Sequence, residues 1–156
     1  MEQIHQTNPL YLLAEVELIY RSKVRASDRP KITDSKSTFD LLISHWDMDK
    51  IELFEEFKVL FLNQSNRVLG IYNVSSGGIT GTVADPRLIF GAALKATACN
   101  LILAHSHPSG NLRPSQADEL LTAKFKEAGK FLDIRVIDHI IVTKDQYFSF
   151  ADEGLL

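Results

Sequence analysis

The chain has 156 residues, 45% hydrophobic and 24% charged, the composition of an ordinary soluble domain, so disordered, collagen-like and coiled-coil classes are excluded. Its longest apolar stretches, such as Ile89 to Leu94, are far shorter than the ~20 residues of a spanning helix, and Met1 to Leu10 has neither the basic start nor the apolar run of a secretory leader. With 17 basic against 20 acidic residues the net charge is −3, which opposes a nucleic-acid binder held by a broad positive field, and the single Cys99 excludes a disulfide framework or Cys-rich zinc module and points to the cytoplasm.

No repeat, low-complexity tract or Pro/Gly linker divides the chain, which reads as one domain behind an N-terminal extension. Residues 14–24 alternate apolar and polar with period 2 and predict a strand, although Asn8-Pro9 before them also suits a helix start. Arg21 to Lys36 carries Arg21, Lys23, Arg25, Arg29, Lys31 and Lys36 against Asp28 and Asp34, whereas Asp47 to Glu56 carries five acids against Lys50. The basic run is either a solvated strand and loop or a local contact for a partner or a nucleic-acid backbone. Over 35–46, Phe39, Leu42, Ile43 and Trp46 fall at i, i+3, i+4 and i+7, an amphipathic helix with Asp34 or Ser35 as cap.

Residues 55–63 and 67–74 are β-rich, and the polar Gln64-Ser65-Asn66 between them predicts a hairpin. Gly77-Gly78 with Gly81 lacks phosphate-loop spacing and suits a turn or bulge. Asp85-Pro86 opens an Ala-rich helix to about Cys99, with Asp at the N-cap and Pro at its first position. A short buried strand over 100–104 enters a polar loop over 105–114; a helix follows from Ser115 to about Ala128, closed by Gly129. Strands at about 133–143 and 146–150 complete a mixed sheet flanked by helices, an α/β architecture.

The chemistry concentrates between His105 and Asp118. Side chains of an extended chain alternate faces, so His105 and His107 aim both imidazoles at one point. Asp118, in the first turn of the next helix, supplies a carboxylate that the loop can fold back toward them. Two His and one carboxylate leave one of the four tetrahedral positions of zinc to water, as catalytic sites do. The competing reading is local: a satisfied strand His, and Ser115-x-x-Asp118 as a capping box.

These residues resemble the JAMM motif of MPN+ metalloproteases, and more closely its bacterial RadC-like branch, whose pattern H-x-H-P-S-G-x-x-x-P-S-x-x-D stands in full from His105 to Asp118. The resemblance extends through Glu55-Glu56-Phe57, Leu62-Asn63, Asp85-Pro86-Arg87, Asp138-His139 and Glu153 to Leu156, hence over 40–156, leaving 1–39 as the extension. It implies the JAMM/MPN+ fold, related to cytidine deaminases; long RadC-like chains also carry a helix-hairpin-helix region, and with no such Gly-rich hairpin before residue 40 this chain resembles the short form. The resemblance also implies Zn2+ on His105, His107 and Asp118, Glu55 as the acceptor of the water proton, and Ser115 as an oxyanion stabiliser. The implied function is a zinc-dependent peptidase or isopeptidase with a peptide or protein substrate; the alternative is a DNA-repair or mobile-element accessory protein with vestigial hydrolysis.

The remaining candidates are weaker. Zinc deaminases need a Cys pair, and Cys99 stands alone, reading as a small buried apolar residue. His139 beside Asp138 is either a strand residue satisfied by its neighbour or a residue that orients a substrate or supports the metal site from behind. His5 and His45 have no ligand partner nearby in sequence.

Overall fold

The computed structural model of the protein describes residues 13–17, 19–78 and 84–156. Helix α1 (Ser35–Ser44) starts where Asp34 accepts from the Ser37 amide at 2.6 Å and the Ser37 hydroxyl accepts from the Asp34 amide, a reciprocal box. The hairpin of β1 (Glu55–Leu62) and β2 (Val68–Gly78) turns on Asn63, whose side-chain oxygen accepts from the amides of Ser65 and Arg67. Helix α2 (Pro86–Lys95) begins on the Asp85 cap, and β3 (Asn100–Ser106) passes into the long α3 (Gln116–Phe131), β4 (Arg135–Val142) and β5 (Tyr147–Ser149).

The sheet order is β2-β1-β3-β4-β5, with β3 and β4 parallel and the other pairs antiparallel. Alternation along the strands divides the core in two. Phe57, Val59, Phe61, Leu101 and Leu103 face Ile89, Phe90 and Ala93 of α2 and Phe125 of α3, while Leu60, Leu62, Ile102, Ala104 and Ile140 face Phe39 and Leu42 of α1. The mixed sheet flanked by helices is the architecture expected of a JAMM/MPN+ fold. None of the described helices is long and apolar enough to cross a membrane.

Several expected boundaries move. The described residues of 14–24 form no strand: their alternation lacks a partner ladder, Val16 is 88% exposed, and the segment is tied down through Tyr20, which donates to the Leu69 carbonyl at 2.6 Å. Helix α2 ends four residues before Cys99, because Thr97 takes a left-handed conformation (φ 58°) that turns the chain into β3. Cys99 is partly exposed rather than buried. Gly129 does not close α3. It lies inside the helix because a Cβ there would stand 2.2 Å from the Ile134 carbonyl oxygen, and Asp133 (φ 55°) makes the left-handed turn instead. Strand β3 runs two residues further than expected, so His105 belongs to the sheet and not to the loop.

Candidate metal centre

β3, α3 and β4 form a βαβ unit, and in such units the carboxyl end of the strand and the amino end of the helix meet. His105 is the penultimate residue of β3, and His107 stays extended because its amide donates to the Val142 carbonyl at the end of β4. Pro108 then stops the ladder, and Gly110 (φ 79°) folds the loop back so that the Asn111 carbonyl meets His107 Nδ1 at 2.5 Å. Ser115 caps α3: its hydroxyl accepts from the Asp118 amide, and both its amide and hydroxyl donate to Asp118 Oδ2 at 2.7 Å.

The capping box is present, yet it does not consume the carboxylate. Asp118 Oδ1 lies 3.2 Å from His105 Nε2, and its Oδ2 lies 3.7 Å from His107 Nε2. The two Nε2 atoms stand 2.9 Å apart, and donor atoms of all three residues lie within 4.8 Å of one another. Among the described residues this is the cluster of His, Cys, Asp and Glu with metal-binding geometry. Both imidazoles spend Nδ1 on other hydrogen bonds, so both turn Nε2 inward. Two imidazole nitrogens and a carboxylate converging at such range call for a positive centre, a proton or a metal ion, among them. The donor set of two imidazoles and one carboxylate suits zinc; burial works to raise the Asp118 carboxyl, but hydrogen bonds from the flanking histidines override it and hold the group far below the usual carboxylate range.

β1 runs antiparallel to β3 with Phe57 opposite His105. Continuing that register by two residues sets Glu55 across from His107, on the face shared by Phe57 and His105. Partial burial pushes the Glu55 carboxyl above its ordinary value, against the pull of His105 and His107. Glu56 points to the other face, where its carboxylate lies 3.9 Å from Lys58 Nζ. Opposite this pair Gly77 (φ 109°) is the extra residue of a bulge in β2, as its glycines suggested; Gly81 lies outside the described residues.

Behind the cluster lies a layer that sequence reasoning grasped only in part. His105 Nδ1 meets His139 Nε2 at 2.8 Å, and His139 Nδ1 meets Thr122 Oγ1 at 2.6 Å. Thr122 in turn donates to the Asp118 backbone carbonyl at 2.7 Å. His139 has no exposed surface; it stacks on Phe150 with ring centroids 4.7 Å apart, and burial holds its pKa well below the ordinary histidine value. Thr122 carried one usable signal, its place one turn after Asp118 on the helix face that also holds the buried Phe125. His45 is exposed and bonds the Leu41 carbonyl, away from the cluster; His5 lies outside the described residues.

The family model of the RadC-like JAB domain matches residues 32–155. A Flavobacterium johnsoniae protein named UPF0758 protein is 43% identical over 161 residues, covering 97% of this chain and 66% of that protein. A UPF0758 protein of Porphyromonas gingivalis is 46% identical over 129 residues, 82% of this chain and 56% of that one. UPF0758 protein YfjY of Escherichia coli is 45% identical over 102 residues, 65% of this chain and 64% of that one. The chain thus spans between about half and two thirds of the length of these relatives.

Proposed function

This chain belongs to the RadC-like JAB domain family, and on that premise we propose that it is a zinc-dependent hydrolase cleaving a peptide or isopeptide bond. The observation that carries the reading is the convergence of His105 Nε2, His107 Nε2 and the Asp118 carboxylate at the end of β3, with Glu55 on the same face.

His105, His107 and Asp118 would hold the ion, which when bound supplies Lewis acidity that brings water's pKa toward neutrality and polarises a carbonyl. Glu55 is the general base: it is no member of the ligand cluster, its carboxyl faces the cluster, and its partial burial raises its proton affinity. It takes the proton from the attacking water and returns it to the leaving amine. Ser115 sits beside Asp118 at the amino end of α3; its hydroxyl proton, which here goes to Asp118 Oδ2, would turn to a developing oxyanion beside the first helix amides.

Purified protein should bind about one zinc per chain, and His105→Ala should lose it. Glu55→Gln should keep the metal and lose cleavage of a mixed peptide library read by mass spectrometry. New peptide termini generated equally by wild type and Glu55→Gln, or zinc retained by His105→Ala, would overturn the reading.

A further inference from the structure

We propose that His139 and Thr122 are positioning residues that act on the metal centre through His105, a buried relay that fixes which nitrogen of His105 carries the proton. The inference rests on the metal reading above and adds how the principal ligand is prepared for it.

The direction of the relay follows from a count of protons. Thr122 has one hydroxyl proton and two neighbours, the Asp118 carbonyl oxygen at 2.7 Å and His139 Nδ1 at 2.6 Å. A carbonyl oxygen can only accept, so the proton goes there and Thr122 Oγ1 accepts from His139 Nδ1–H. The wholly buried His139 ring, with Nδ1–H given to Thr122, presents Nε2 as its acceptor, and His105 Nδ1–H donates to it at 2.8 Å. His105 Nε2 is thereby left as the nitrogen open to a metal ion, and it is the atom that faces His107 and Asp118. The relay begins at the backbone of Asp118 and ends on the imidazole 3.2 Å from its carboxylate, so two of the three ligands are held in mutual register.

The surroundings keep the relay dry. Thr122 is 1% exposed, His105 1% and His139 0%, while Phe57 stacks near-parallel on His105 and Phe150 on His139. Water therefore cannot replace a missing partner without opening the core. Partners of this kind behind a metal-binding His typically matter by ~10–100-fold in metal affinity.

Two measurements test this, one of them without metal. In nitrogen-15 long-range correlation spectra of metal-free protein, His105 and His139 should both show Nδ1–H, and Thr122→Val should disturb this pattern while Thr122→Ser restores it. In chelator competition, Thr122→Val and His139→Phe should weaken zinc binding by ~10–100-fold, with Thr122→Ser matching wild type. His139→Gln, whose amide oxygen can accept from His105 Nδ1–H, should fall between wild type and His139→Phe. Should His139→Phe fail to fold, the Val and Ser variants of Thr122 decide alone. A His105 Nδ1 or His139 Nδ1 without its proton in the metal-free protein, or folded Thr122→Val with wild-type zinc affinity, would overturn the relay. Wild type that binds no zinc but shows the two Nδ1–H signals would sink the zinc hydrolase reading and leave the relay standing.

Discussion

Glu55 and Glu56 are neighbours of the same chemistry, separated only by strand alternation. Glu55 shares a face with His105, whereas Glu56 is 3.9 Å from Lys58, an ammonium that Asn73 accepts from at 2.8 Å and that lies 4.8 Å above the Trp46 ring. Both side chains of the Glu56–Lys58 pair are nearly buried, so removing one charge leaves the other poorly compensated. Glu56→Gln should therefore retain peptide cleavage and lose about 1–3 kcal/mol of stability in urea unfolding. A Glu56→Gln protein that is inactive, beside an active Glu55→Gln, would move the base to the opposite face. At this scale the sequence was legible wherever the geometry is local: the i, i+2 spacing of His105 and His107 needs only an extended chain, and Ser115 with Asp118 needs only a helix start. His139 and Thr122 were not legible as a pair. Their meeting depends on the β3–β4 register, which sets Leu103 against His139, and on the docking of α3 over that strand.

Among the elements, those with a strong internal signal formed where expected: α1 from its apolar stripe and Asp34 box, the β1–β2 hairpin from its polar turn, and α3 from Ser115. Alternation over 14–24 misled because a strand is made by its partner, and none pairs with the described residues there. Gly129 misled for the converse reason: a close approach by Ile134 demands glycine inside a helix, and the sequence of α3 alone cannot show it. The β4–β5 pair carries a further buried carboxylate, Asp138, whose Oδ1 accepts from the amides of His139 and Ala151 and whose Oδ2 accepts from Ser149. Burial raises its pKa above the ordinary value, with Asp152 adding like-charge repulsion and the three hydrogen bonds opposing. Above the unfolded pKa the folded state therefore holds more proton than the unfolded chain, and stability falls as pH rises through the window between the two values. The carboxamide introduced by Asp138→Asn would keep its oxygen for both backbone amides and donate through its nitrogen to Ser149, with no charge to titrate. Across unfolding curves from pH 4 to 8, the stability of wild type relative to Asp138→Asn should decline with rising pH and then level. A pH-independent difference, or a relative gain, would remove the raised pKa.

The molecule as a whole has a net charge of −3 and concentrates its unbalanced cations in one run. That run is irregular apart from a 3-10 turn at Ala26–Asp28, an isolated antiparallel bridge between Lys31 and Arg67 and the start of α1, and it offers no long helix to a groove. Its side chains are partly committed: Arg29 donates to the Ser22 hydroxyl, its backbone oxygen accepts from Arg67, and Lys36 pairs with Asp40. Arg21, Lys23, Arg25 and Lys31 are exposed to solvent. These features support a local polyanion contact at most, because association with DNA gains mainly by releasing counterions from each phosphate neutralised. Six cations contacting one phosphate each would give a slope of log affinity against log salt no steeper than about −5.4 on duplex DNA. The expected outcome for duplex or single-stranded DNA at physiological salt is binding no tighter than the ~10⁻⁴ to 10⁻⁶ M of nonspecific contacts, unchanged in Glu55→Gln and abolished when Arg21, Lys23, Arg25 and Lys31 are reversed to Glu. Fluorescence anisotropy across a salt series measures it directly. Submicromolar binding lost in that charge-reversed variant would instead make nucleic acid the principal partner, with the metal centre serving a DNA-bound protein.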